Sequence, residues 1–145
     1  MRVQSLGHVV IKVRDQQRAE AFYGGLLGIP IVARLAAWSM TFFSLGNHHD
    51  FAIAAVGNYA EAPPEKATGL LHVAFKIGNS MEELRQAKAE LEGAGVAVEA
   101  YDHAVTQSIY FSDPDGNVIE FYVDTSDAWK HDPSAVAQVT SLELS

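Results

Sequence analysis

Strand-like alternation of apolar and polar positions opens the chain at residues 8–15, HVVIKVRD, and returns at residues 72–79, HVAFKIGN, 64 positions later, with His, Val and Lys in register. A helical period follows each copy. After the first, Asp15 is placed to cap a helix whose Ala19, Phe22, Tyr23, Leu26 and Leu27 recur at helical spacing, closed by Gly28 and Pro30. After the second, Ser80 and Glu83 make a capping box ahead of a stripe of Leu84, Ala87, Leu91 and Ala94, with Gly93 and Gly95 marking the end. Each helix leads into three strand-like runs. In the first copy these are IPIVARL, WSMTFFSL and HHDFAIAAV, the last pair joined by Gly46-Asn47. In the second they are VAVEAY, QSIYF and VIEFYV, with the turn sequence Asp113-Pro114-Asp115-Gly116-Asn117 between the last two. The pattern is β-α-β-β-β, twice. It predicts an α+β fold of two modules, about 5–56 and 69–124, with a connector at 57–68 and a tail at 125–145, in one domain of 145 residues.

Composition narrows the chemistry. With 48 % hydrophobic and 19 % charged residues the chain can bury a sizeable core. A formal net charge of −8, with no cluster of Lys and Arg, argues against a nucleic acid partner. No stretch approaches the roughly 18 apolar residues of a membrane span, and the opening apolar run is too short and too quickly recharged for a signal peptide. A cytoplasmic protein with no membrane partner is expected. The absence of cysteine removes disulfides, thiolate metal sites, iron–sulfur clusters and a thiol nucleophile together. The six histidines become the residues to follow.

His8 shares a strand face with Val10 and Lys12, and His72 repeats that placement beside Ala74 and Lys76. If the copies pair, the two imidazoles meet across a pseudo-twofold axis. Glu120 lies in the middle of VIEFYV, where a carboxylate is costly to bury unless it is paired or bound to a cation. A core histidine with a backbone partner, or a carboxylate at a strand end, is the plainer reading of any one of these residues. Together, two imidazoles and one carboxylate make a set that leaves positions open on Fe(II) and also suits Mn, Ni or Zn.

GHVVIKVRD, LHVAFKI and DPDGNVIEFY resemble the vicinal oxygen chelate superfamily, which includes glyoxalase I, bleomycin and fosfomycin resistance proteins and type I extradiol dioxygenases. The resemblance covers residues 5–124. It implies paired βαβββ modules forming one cupped mixed sheet around a divalent metal, with His8, His72 and Glu120 at the matching ligand positions. A fourth ligand, where members of the superfamily have one, comes from the last strand of the first module. Counting back from Gly57 puts that position on or near Phe51, which cannot bind metal and leaves three ligands, whereas a register anchored on Gly46-Asn47 puts it on Asp50.

His49-Asp50-Phe51-Ala52 is similar to the strand of extradiol ring-cleavage dioxygenases whose histidine sits beside bound oxygen, and it places His49 inward beside Phe51. Asp102-His103 and Tyr110 agree with the same subgroup. The resemblance thus implies an Fe(II)-dependent dioxygenase acting on a small aromatic diol and O2, with His49 as acid–base and Tyr110 and His103 bonding the substrate oxygens. Trp38, Met40 and Phe42 alternate on one strand face as an apolar wall against the ring, or as core. Two other readings stand beside it. One is a glyoxalase-type lyase or isomerase using Ni or Zn with Asp50 as extra ligand; the other is a binding protein that holds a ligand without turnover. Edge pairing between two copies of a small cupped sheet would give a homodimer.

Overall fold

The computed structural model describes residues 1–145. Its backbone contacts divide it into two compact units, Met1–Ala67 and Thr68–Ser145. In the first, β1 (Val9–Val13) leads to a short helix α1 (Gln16–Glu20), then to β2 (Ile31–Leu35), β3 (Met40–Phe43) and β4 (Phe51–Ala55). The sheet order is β1-β4-β3-β2, with β1 parallel to β4 and the other pairs antiparallel. In the second, β5 (Val73–Gly78), α2 (Met81–Gly93), β6 (Glu99–Asp102), β7 (Thr106–Ser112) and β8 (Val118–Asp124) repeat the plan, and β9 (Thr140–Ser141) adds an edge strand, giving the order β5-β8-β7-β6-β9. The α+β class and the duplicated strand plan hold. The strands form two sheets, of four strands in the first unit and five in the second. No helix is long and apolar enough to cross a membrane.

The first helix departs from a regular period. Asp15 does cap it, its side chain accepting from the N–H of Arg18 at 2.7 Å. After Glu20, however, the turns widen into a π-helix over Ala21–Leu26, and the N–H of Leu27 bonds the carbonyl of Phe22. The wider turn buries Phe22 and Tyr23 and leaves Leu26 and Leu27 only half-buried. Tyr23, Phe43 and Phe51 form the centre of the unit, with ring centroids 4.8 to 6.2 Å apart. Truncating any of them to Ala would cost roughly 3–5 kcal/mol.

The second helix follows its sequence closely. Ser80 accepts from the N–H of Glu83, and the Glu83 carboxylate accepts in return from the N–H groups of Asn79 and Ser80, both at 2.9 Å. That carboxylate lies over Gly78, where a Cβ would stand 2.2 Å from Glu83 Oε2. Leu84 and Leu91 are buried against the sheet, while Ala94 lies exposed past the last turn. On the sheet, Phe111, Phe121 and Phe75 stack edge to face beneath the helix. The tail is ordered as two 3-10 turns, Ala128–Lys130 and Pro133–Ala137, and β9. Ala135 and Leu144 anchor it by burial.

Candidate active site

Alternation along β8 sends Ile119, Phe121 and Val123 into the core and Glu120 and Tyr122 to the opposite face. Register then decides what meets Glu120. Its partner is Tyr110 on β7 and Ala74 on β5, and His72 lies two residues before Ala74 on the same face. The result is a polar group on one face. Glu120 is 8 % exposed; its Oε1 accepts from the Ser108 hydroxyl at 2.6 Å and its Oε2 lies 3.0 Å from His72 Nε2. The rings of His72 and Tyr110 meet edge to face at 5.5 Å.

Tyr110 is half-buried, and burial, reinforced by the negative charge of Glu120, pushes its hydroxyl up to about 12. It therefore keeps its proton at neutral pH. His103 stands beyond it. Asp102 holds the β6–β7 turn by accepting from the N–H of Ala104 at 2.7 Å and from Gln107 Nε2 at 2.9 Å, with Ala104 in the left-handed region at φ 67. This turn aims His103 so that Nε2 lies 3.0 Å from the Tyr110 hydroxyl and Nδ1 lies 3.1 Å from the carbonyl oxygen of Gln138. A carbonyl only accepts, so Nδ1 carries the hydrogen. In the neutral ring Nε2 is then the acceptor, and Tyr110 donates its proton to it.

The first unit gathers three imidazoles. His8, immediately before β1, packs against His49 with ring centroids 4.0 Å apart, and His49 Nδ1 lies 2.8 Å from His48 Nδ1. Phe42 closes on His49 at 5.2 Å. Desolvation first, then the charges of His8 and His48, hold the His49 imidazole below its ordinary value. It is neutral at pH 7. No group of three or more His, Asp or Glu in the structure is arranged to hold a metal ion. His72 and Glu120 come together in the second unit, and His8 lies in the first with His49.

Several local expectations are corrected. The β1–β4 register pairs Val10 with Ala52 where the β5–β8 register pairs Ala74 with Glu120. The first module's counterpart of Glu120 is therefore Ala52, one residue past Phe51, because β4 ends at Ala55, short of Gly57. Phe51 is fully buried in the core with Tyr23, so His49 does not lie beside it; His49 precedes the strand and turns to His8 and Phe42. Asp50 is used within its own loop, its Oδ2 accepting from the N–H of Leu45 at 2.6 Å and, at 3.4 Å, from that of Asn47. Trp38 sits in a 3-10 turn ahead of β3 and is 71 % exposed, so it does not continue the strand face of Met40 and Phe42. Sequence reasoning missed Ser108, although its spacing of two from Tyr110 in a strand places both on one face.

As a donor set, an imidazole and a buried carboxylate aimed at one point suit a divalent cation of the Fe, Mn, Ni and Zn kind. The protonated tyrosine and the imidazole beside them can hold or pass a proton to a ligand oxygen. Residues 5–121 match the Glyoxalase/Bleomycin resistance protein/Dioxygenase superfamily. The chain is 30 % identical over 134 residues to the catechol-2,3-dioxygenase of Bacillus subtilis, covering 88 % of this chain and spanning 44 % of that protein's length. It is 30 % identical over 126 residues to the glutathione transferase FosA of Serratia marcescens, covering 83 % of this chain and 82 % of that protein. Among solved structures, a glyoxylase/bleomycin resistance protein/dioxygenase domain from Frankia sp. EAN1pec shares the fold with a TM-score of 0.71 at 20 % identity, over 85 % of this chain and 99 % of that one. With the fold, the duplicated histidine strands and a matched segment that runs through Glu120, the chain belongs to the glyoxalase/bleomycin resistance protein/dioxygenase superfamily.

Proposed function

We propose that this chain is an Fe(II)-dependent extradiol dioxygenase that opens the ring of a catechol-like aromatic diol, with His72, Glu120 and His8 as metal ligands. The observation that carries the reading is the Tyr110–His103 pair, 3.0 Å apart, beside the His72–Glu120 pair on one sheet face. When bound, Fe(II) supplies the redox chemistry through which a catechol ring and O2 react; both oxygen atoms end in the ring-opened product, so no external reductant is required. The protein's own groups handle protons. A diol must lose a proton on binding a cation, and Tyr110 with His103 offers a route: the substrate hydroxyl gives its proton toward the tyrosine oxygen as the tyrosine proton moves to His103 Nε2. His49, neutral at pH 7, is the second acid–base group. Asp50, held by its own loop, supports a three-ligand set over the four-ligand lyase arrangement.

Supporting this reading, the catechol-2,3-dioxygenase relative matches over 88 % of this chain. The test is oxygen uptake by protein reconstituted anaerobically with Fe(II) and then given aerated buffer and a panel of catechols. Stoichiometric O2 consumption with appearance of the absorbing ring-opened product is expected. Absence of uptake with every catechol, at full metal occupancy, overturns the reading.

A further inference from the structure

The tail from Ser126 onward is fixed to the second sheet at several points. The N–H groups of Thr125 and Ser126 bond the Val105 carbonyl at 3.2 and 3.3 Å, β9 pairs with β6, and the N–H of Leu142 bonds the Ala100 carbonyl at 3.1 Å. Between these ties Trp129 and Val136 line a cleft together with Tyr110 and Glu120, and the Gln138 carbonyl oxygen lies 3.1 Å from His103 Nδ1. This open cleft measures about 380 Å³. That is the small end of the roughly 300–1,000 Å³ usual for small-molecule sites. Its polar lining includes Glu120, Tyr110, His103 and Thr106, and the tail contributes the apolar Trp129 and Val136. Trp129 is 46 % and Val136 57 % exposed, so both present apolar surface to solvent.

Charge adds a second constraint. Of the ten residues lining the cavity none is Lys or Arg, while two, Glu120 and Asp124, are acidic. The nearby cations are already paired: Lys76 Nζ lies 2.6 Å from Oδ2 of Asp124, itself a lining residue, and Lys130 pairs with Asp127 at 3.4 Å and lies 5.9 Å from the Trp129 ring centre. A carboxylate on the far side of a bound ring would meet no opposite charge there.

We propose that this tail is the specificity wall of the site, with Trp129 and Val136 selecting a single-ring diol that carries a neutral, apolar substituent and rejecting one that carries a carboxylate. The proposal rests on the catechol reading above, and binding and turnover test the two separately. Calorimetric titration of anaerobic, Fe(II)-loaded protein with 4-methylcatechol and with 3,4-dihydroxybenzoate is expected to show the first binding at least about tenfold tighter. Trp129→Ala should weaken 4-methylcatechol by about tenfold. Val136→Lys should narrow or reverse the preference by improving the carboxylate, a gain that misfolding cannot produce. Equal affinities in the parent protein, or a preference untouched by Val136→Lys, overturn the wall even if oxygen is consumed with both diols. Failure of 4-methylcatechol to bind also overturns it. If the preference and its response to Val136→Lys hold while no oxygen is consumed, the wall stands and the dioxygenase reading falls.

Discussion

His72 Nε2 and Glu120 Oε2 lie 3.0 Å apart because β5 and β8 run parallel in a register that sets Ala74 opposite Glu120. One Glu120 oxygen is taken by Ser108 at 2.6 Å, so the carboxylate cannot rotate freely and presents its other oxygen on the His72 side. If this pair is part of the metal site, His72→Ala and Glu120→Ala each abolish stoichiometric divalent metal binding, and His8→Ala does the same. Ser108→Ala should weaken metal affinity without abolishing it, since it removes only the group that orients a ligand, an effect of about 10–100-fold. Asp50→Asn should leave affinity unchanged. Metal content after gel filtration and a competitive chelator titration measure all five, and full occupancy in any two of His8→Ala, His72→Ala and Glu120→Ala would sink the ligand assignment.

Catalytic groups should separate from ligands in the same assays. His49→Gln is expected to retain metal and catechol and to lower turnover by about 10²–10⁴, the usual contribution of a positioned proton-transfer group. Tyr110→Phe fills the same volume, leaves His103 Nε2 without its donor and should lower kcat more than it raises KM. Steady-state oxygen uptake at measured metal occupancy checks both. Wild-type rates in the two variants would remove both residues from the mechanism.

Much of this arrangement is legible in the sequence because strand alternation is a strict period of two. Once VIEFYV is a strand, Glu120 and Ile119 must face opposite ways, and the repeated HV pair places His8 and His72 alike, each one residue before its strand. What was not legible comes from local interruptions and distant contacts. The six-residue π-turn takes its form from packing of Phe22 and Tyr23 and from the close approach of Gly24 to Ile31, neither of which changes the apolar spacing. The count from Gly57 reaches the neighbourhood of Phe51, and only the β1–β4 register fixes the position at Ala52. Trp129, Val136 and Gln138 have no periodicity to read, since their positions follow from three-dimensional ties to Val105, His103 and β6.

A buried network in the first unit predicts a pH effect on stability. Thr41 is fully buried; its hydroxyl accepts from Gln16 Nε2 at 2.9 Å and donates to Glu20 Oε1 at 2.5 Å, and Arg34 holds the same carboxylate through both oxygens. The Arg34 hydrogen bond, the largest influence, holds Glu20 below its ordinary value of 4.5, against the opposing effect of burial. A carboxylate lowered in the folded state stabilises the fold above its unfolded pKa, and that contribution is lost as pH falls through the lower folded value. The unfolding midpoint should therefore drop below about pH 4.5, and Glu20→Gln should flatten that part of the profile. Thr41→Val, which leaves Gln16 and Glu20 without the hydroxyl between them, should cost about 1–3 kcal/mol at pH 7. Thermal melts across pH 3–7 for the three proteins decide it; identical acid limbs would show that Glu20 contributes nothing.

The turn before β8 carries the last prediction. Asp113 is 5 % exposed, and its Oδ1 accepts from the N–H groups of Asp115 and Asn117, each at 2.8 Å, while its Oδ2 accepts from Asn117 Nδ2 at 2.8 Å. With Gly116 in the left-handed region at φ 87, these bonds fix the register in which β7 meets β8, and so place Tyr110 opposite Glu120. Asp113→Ala would strand two backbone donors in a closed turn and should cost about 2–4 kcal/mol. Asp113→Asn keeps one acceptor oxygen and should recover more than half of that loss. The consequence reaches the site only if register changes, since a slip of one residue would carry Glu120 to the core face. Because Ile109, Phe111, Ile119 and Phe121 all oppose such a slip by burial, turnover per bound metal in Asp113→Ala should match the parent while its urea midpoint falls. Loss of metal binding with unchanged stability would mean that this turn acts on the site directly, and not through the strand it starts.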